Sequence, residues 1–179
     1  MDITETKLPG VLLIKPKVFG DARGYFQETF QDRRYAALGI AGPFVQDNVS
    51  LSQQGVLRGI HFQNPNPQGK LVYVLQGEVF DVAVDLRRDS PTFGQWYGEY
   101  LSADNHLQLW VPPGFGHGFC VTSESALFAY KCTDYYDPAS EHCLLWNDPD
   151  VAIDWPLTEP LVSAKDAQGC RLRDCKQGL

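Results

Sequence analysis

Residues 55–77 read GVLRGIHFQNPNPQGKLVYVLQG, and residues 112–117 read PPGFGH. The first stretch is a strand, a loop and a second strand. VLRGIHFQ alternates, which sets Gly59, His61 and Gln63 on one face and Ile60 and Phe62 on the other. NPNPQG interrupts it, because proline cannot serve the interior of a ladder. KLVYVLQ then begins on Lys70 as a β-branched, apolar run. It continues through Gln76-Gly77 into EVFDVAVDL, and a hairpin turning at that dipeptide is predicted. The second stretch is a proline-glycine turn ending on His117.

Similar runs recur on both sides. VLLIKPKV, GYFQETF and FVQDNVSLS precede the quoted segment; WYGEYLS, HLQLWVP, HGFCVTS, ALFAYKCTDYY and CLLWND follow it. Aromatic and β-branched content, rough alternation and about ten residues per run predict a sandwich or barrel. Only DRRYAALG, residues 32–39, reads as a helix, closed by Gly39. Beyond residue 149 the apolar pattern fades, and SAKDAQG predicts a short helical turn.

The 179 residues suit one domain, with the tail after about residue 169 standing apart. An apolar fraction of 44% with 12% aromatics supplies a core. The net charge of -7 argues against nucleic acid as a partner, yet a few arginines in one cleft still suit a small anion. No apolar stretch is long enough for a membrane span, and MDITETKLPG lacks the pattern of a signal peptide. Five cysteines, an odd number, fit reduced thiols and a cytoplasmic protein. Cys120, Cys132 and Cys143 lie in apolar runs and read as buried and inert. Cys170 and Cys175 sit in the polar tail and match no common zinc spacing.

In spacing, the two quoted motifs resemble those of the cupins, jelly-roll barrels in which three histidines and a glutamate hold a divalent metal. Here Gln63 occupies the place of the second histidine and Lys70 that of the glutamate. An ammonium cannot ligate a cation and repels it. The expected fold is therefore an all-β, cupin-like jelly roll with one or two short peripheral helices. Its site has no metal and no cofactor, and its two histidines and positive charge favour an anion or a developing oxyanion.

Other residues gain meaning only in combination. Arg23 and Arg58 each adjoin glycine, where backbone or ligand can come close, and together would clamp a diphosphate. Gln46, Asn48 and Ser50 share one face of FVQDNVSLS, a pattern that by itself reads as solvated. Tyr130 alone reads as core. Tyr135 and Tyr136 read as the end of that strand, where a ring can stack on a base. Asp166 alone is an ordinary cap or loop carboxylate.

Taken in order, DARGYFQETF, QDNVSLS, LRGIHFQ, PQGKLV, PPGFGHGF, YKCTDYY and SAKD resemble the dTDP-4-dehydrorhamnose 3,5-epimerases over about residues 8–169. The resemblance implies His61 as general base, Asp166 as its carboxylate partner, Tyr130 as acid and Lys70 beside the enolate oxygen. It implies a nucleotide-sugar site lined by Arg23, Glu28, Gln46, Asp47, Asn48, Arg58, His117, Glu141 and Lys165, with Tyr136 stacking on thymine. It further implies a homodimer in which the segment around Arg23 to Glu28 reaches the partner's site. The expected reaction inverts C3 and C5 of a 4-keto-6-deoxy sugar. The ketone acidifies both carbons, so a base, an opposing acid and a donor at the carbonyl oxygen suffice. Imidazole, titrating near 6.5, suits the base. A relative inverting only one carbon, a metal-dependent cupin and a non-catalytic nucleotide-sugar binder are the alternatives.

Overall fold

The computed structural model describes residues 1–40 and 42–175. Its strands, in chain order, are β1 (Asp2–Glu5), β2 (Leu12–Lys15), β3 (Val18–Asp21), β4 (Gly24–Gln27), β5 (Gln46–Gln53), β6 (Val56–Gln63) and β7 (Lys70–Gln76). They continue as β8 (Glu78–Asp85), β9 (Trp96–Ser102), β10 (Gln108–Val111), β11 (Phe115–Val121), β12 (Ser125–Cys132), β13 (Glu141–Cys143) and β14 (Leu161–Val162). The helices are α1 (Asp32–Ala36) and α2 (Ala164–Ala167).

Two sheets face each other in a cupin-like jelly roll. One runs β1-β2-β10-β7-β12-β5 and the other β13-β6-β11-β8-β9, with β14 parallel to β6. Strands β3 and β4 form a separate hairpin. Between the sheets lies a core that includes Val72, Val74, Val79, Leu101, Leu109, Phe119 and Phe128. Each sheet also covers its outer face. Tyr35 and Ile40, in and just after α1, pack on Ile14, Leu71 and Trp110 of the first sheet. Val151, Ile153, Trp155, Leu157, Leu172 and Cys175 pack on Leu57, Phe80, Val82 and Val84 of the second.

That last contact corrects the expectation of a fading C-terminus. Its apolar residues are spaced irregularly because they cover a sheet and do not alternate within one. Cys170 and Cys175 belong to the same layer, so the expected polar tail is a packed one as far as it is described. The last four residues lie outside the described range.

The predicted hairpin at Gln76-Gly77 is absent. Strand β7 pairs with β10 and β12, while β8 pairs with β11 and β9. The dipeptide is a corner between sheets. Gly77 has φ +76°, and a Cβ there would lie 2.0 Å from the Ser125 carbonyl oxygen, so glycine alone fits the crossing. Smaller corrections follow. VLLIKPKV is divided between β2 and β3, and CLLWND leaves its strand at Cys143. Tyr135 and Tyr136 lie in the loop beyond β12, whose ladder ends at Cys132. An N-terminal strand, β1, was not expected.

One irregularity aims the site. His117 of β11 stands opposite His61, and Phe119 stands opposite Arg58. Two steps on β11 therefore match three on β6. The extra residue is a bulge at Gly59-Ile60, and it reverses the alternation so that Arg58 and His61 line the same cavity. Gly59 has φ +118°, and a Cβ would meet Gly118 Cα at 2.6 Å and the His117 carbonyl oxygen at 2.7 Å. Gly59→Ala is expected to destabilise the fold by about 2–3 kcal/mol through strain and collision. Calorimetry should show a melting temperature lower by roughly 4–10 °C, with loss of any activity that depends on His61.

Candidate active site

Two adjoining cavities, of about 260 and 250 Å³, open between the sheets. His61, Lys70, Tyr130, Tyr136 and Glu141 line both. Gln46, Asn48, Phe62, Gln63, Gln68 and Cys132 complete the first; Ser50, Arg58, His117, Phe119 and Phe128 help complete the second. His61 enters from β6 of one sheet, and Tyr130 and Lys70 from β12 and β7 of the other. Imidazole and phenol therefore stand on opposing walls.

Asp166, 105 residues further on, reaches His61 through local structure. Leu161 and Val162 add to β6 in parallel register with Val56 and Leu57. Ser163 then caps α2, its hydroxyl accepting the Asp166 N–H at 3.1 Å. The buried Asp166 carboxylate takes His61 Nε2 at 2.6 Å on one oxygen and the Gly59 N–H at 3.1 Å on the other. With the carboxylate ionised, Nε2 is the donor and Nδ1 is free to accept a proton. Burial opposes that ionisation, but the His61 hydrogen bond and charge, then Gly59 and Ser163, hold the Asp166 carboxyl below the usual range.

A second imidazole–carboxylate pair lies alongside. His117 Nε2 is 2.9 Å from the fully buried Asp81. His117, read from the sequence as the end of a turn, is a buried member of β11. Burial pushes the Lys70 ammonium below the usual lysine range, opposed by Cys132, Glu141 and Asp81. Among the described residues no carboxylate lies within ion-pair distance of Lys70. Burial also raises the Tyr130 phenol further above neutrality.

Gln63, in the position of a cupin ligand, does structural work. Its amide donates to the carbonyls of Asn66 and Tyr135 at 3.0 and 3.2 Å, and its oxygen accepts the Asp137 N–H at 3.0 Å. It thus braces the loop that carries Tyr136. Tyr136 donates its hydroxyl to Glu141 at 2.7 Å, and Glu141 also pairs with Lys165. Gln46 accepts the Tyr136 N–H at 2.8 Å and donates to Asn48 at 3.0 Å. Arg58 donates to Ser52 at 3.0 Å.

The face of Gln46, Asn48 and Ser50 turns into the cavity, not into solvent. Val49 and Leu51 face outward instead, 61% and 60% exposed. Of the other expected site residues, Lys165 and Asp166 line a third cavity beside His61, and three stand outside all of these within the single chain. Arg23 pairs with Asp21 at 2.5 Å on the β3–β4 hairpin, Glu28 pairs with Arg34 at 3.1 Å, and Asp47 pairs with Lys131 at 2.8 Å. The sequence reading missed Asp81, Gln68 and Cys132. For Asp81 a signal existed: a carboxylate on an otherwise apolar strand, EVFDVAVD, calls for a buried partner.

A jelly roll with a carboxylate-bound imidazole on one wall, facing a phenol and a buried amine on the other, defines a cupin-like isomerase. The chain belongs to the dTDP-4-dehydrorhamnose 3,5-epimerase family, whose model matches residues 5–174. It is 56% identical over 176 residues to the dTDP-4-dehydrorhamnose 3,5-epimerase of Pseudomonas aeruginosa, covering 97% of each chain. It is 58% identical to the enzyme of that name from Neisseria gonorrhoeae, covering 94% of this chain and 52% of that one. The crystal structure of dTDP-6-deoxy-D-glucose-3,5-epimerase from Legionella pneumophila, in complex with dTDP-4-keto-L-rhamnose, matches with a TM-score of 0.94 and 56% identity. That match covers 96% of this chain and 93% of the other. Among the described residues no helix is long and apolar enough to cross a membrane.

The depressed Asp166 carboxyl fixes a pH dependence of stability. Its contribution is complete above the unfolded-state value of about 3.9 and is lost as pH falls through the lower folded value. Asp166→Asn should therefore lower stability at pH 7, by about 1.5–3 kcal/mol for a charge-assisted bond. In chemical denaturation this difference should shrink as pH drops below about 4. A difference that does not vary with pH would refute the charged pairing.

Proposed function

We propose that this protein inverts C3 and C5 of dTDP-4-dehydro-6-deoxy-D-glucose to give dTDP-4-dehydro-L-rhamnose. The observation that carries the reading is the placement of His61, with its tautomer set by Asp166, across one cavity from Tyr130. His61 Nδ1 takes the proton from the carbon next to the C4 ketone, and Asp166 stabilises the imidazolium that results. Lys70 and the donors around it offset the negative charge that develops on the ketone oxygen. Tyr130, a phenol protonated at neutral pH and shifted further up by burial, delivers a proton to the opposite face of the carbon. Repetition at the second carbon completes the change, and His61 and Tyr130 return to their starting states through solvent.

The remaining residues suit the nucleotide. Arg58 and Lys165 offer cations to the diphosphate, Tyr136 offers a ring to the base, and Gln46, Asn48 and His117 offer hydrogen bonds. The buried Ser50 hydroxyl, without a partner among the described residues, also faces the sugar cavity. Arg23, Glu28 and Asp47 are accounted for by a homodimer. Val49 and Leu51 on edge strand β5, with exposed Phe19, Tyr25 and Phe26 on the β3–β4 hairpin, supply an apolar surface suited to a second copy. The hairpin would then carry Arg23 to the neighbouring cavity. All five cysteines are free, which fits a reducing cytoplasm.

In heavy water, wild-type protein should incorporate deuterium at both C3 and C5, followed by NMR. His61→Ala should abolish both exchanges. Tyr130→Phe should exchange faster than it inverts, because abstraction persists while protonation from the opposite face fails. Incorporation at one carbon alone in the wild type would establish a mono-epimerase instead.

Shared sites make a separate prediction. Arg23→Ala and His61→Ala proteins, each inactive or weak, should regain activity when mixed under conditions of verified subunit exchange. Absence of recovery would mean self-contained sites and would remove Arg23 from the diphosphate.

A further inference from the structure

His61 has a cross-strand neighbour on each side. Strand β11 supplies His117 and β13 supplies Cys143. Directly opposed residues of an antiparallel pair share a face, with Cβ atoms about 4.5–5.5 Å apart, so the Cys143 thiol lies beside the imidazole. Asp166 closes the group. Its Oδ1 is 2.6 Å from His61 Nε2 and 3.9 Å from Cys143 Sγ, and the three donor atoms lie within 4.8 Å of one another. The epimerisation leaves Cys143 without a role.

Imidazole nitrogen, thiolate sulfur and carboxylate oxygen are the ordinary ligands of zinc. We propose that His61, Cys143 and Asp166 form a site for a soft divalent cation of the zinc type, and that its occupation switches the enzyme off. The second half rests on His61 being the base.

The geometry is close to what such an ion needs. Bond lengths of about 2.0–2.3 Å put tetrahedral donors about 3.3–3.7 Å apart. The sulfur–oxygen separation is near that range already, and the His61–Asp166 contact must open by about 0.7 Å to reach it. Asp166 remains anchored meanwhile, since its other oxygen holds the Gly59 N–H. A further cavity, lined by His61, Ser163, Lys165 and Asp166 but not by Tyr130 or Lys70, gives approach from the Asp166 side. The nearby Lys165 ammonium is engaged by Glu141, and Arg58, which lines the same cavity, donates to Ser52; with Cys143 as thiolate, it and Asp166 together outweigh the Arg58 charge. Burial, then the Asp166 carboxylate, pushes the free thiol up to about 12. A bound cation would replace that proton and relieve the cost.

Inactivation follows from the tautomer. Neutral imidazole has one proton, carried on Nε2 while Asp166 accepts it. A metal at Nε2 leaves that proton only Nδ1, the nitrogen that must stay bare to abstract from the sugar. The thiol proton goes to solvent, so one proton is released per ion bound and nothing is oxidised or reduced.

The test uses intact protein stripped of metal. Cobalt(II) titration should produce a thiolate-to-cobalt charge-transfer band, which zinc should displace. Zinc should inhibit epimerisation reversibly, with activity restored by chelator. Cys143→Ser and Cys143→Ala should keep wild-type activity without metal, lack the band, and need at least about tenfold more zinc for the same inhibition, as loss of one ligand implies. Cys170→Ser, altering the other thiol near Cys143, should retain the band. Absence of the band in the wild type, or equal zinc sensitivity in both Cys143 variants, would overturn the site. A band accompanied by full activity at saturating metal would overturn the inhibition. Failure of the epimerase reading looks different: no exchange at C3 or C5 in metal-free protein, with the cobalt band intact.

Discussion

A buried carboxylate is costly unless its oxygens are bonded, and Asp166 meets that constraint by joining the two features on which the site depends. One oxygen holds His61 and the other holds the backbone at Gly59. The first bond selects the imidazole tautomer; the second secures the bulge that turns Arg58 and His61 toward one cavity. The segment that delivers Asp166 is itself held by β14 against β6 and by the aromatic layer on the second sheet. Remote packing and proton chemistry thus meet at one side chain.

Within the cavity, charge is distributed by burial as much as by residue type. Two imidazoles occupy opposed positions on β6 and β11, each bonded through Nε2 to a carboxylate that water hardly reaches. Across from them the Lys70 amine and the Tyr130 phenol are both pushed by burial toward their neutral forms. A phenol kept neutral is a proton donor at physiological pH, and an amine without a local counterion is free to answer charge that develops on a ligand. The cupin frame is retained while its metal-binding positions serve other ends: Gln63 braces a loop and Lys70 lines the wall.

Much of this was legible in the chain. Alternating runs, proline-rich breaks and the helix closed at Gly39 gave the all-β architecture, because period-two patterning follows directly from strand geometry. His61, Lys70 and His117 stood out because they occupy the spaced positions of two cupin-like motifs. The Gln76-Gly77 corner was misread for a physical reason. A glycine that turns a hairpin and one that crosses between sheets have the same local sequence, and only the pairing of β7 and β8 with other strands tells them apart. The outward apolar face of β5 was likewise hidden, since alternation reports that two faces differ without saying which one meets water.

The sequence by itself determined most of the strands, and the residue types able to move protons, since these follow from local periodicity and side-chain chemistry. The tertiary structure alone decided which groups meet. Asp166 lies 105 residues from His61 and Asp81 lies 36 from His117; an apolar strand signals that Asp81 has a partner, but local composition names the partner of neither carboxylate. The phase reversal at Gly59 arises only when β6 is laid against β11. Burial, which shifts the Tyr130 phenol up and the Lys70 ammonium down, exists only once both sheets have closed over the cavity.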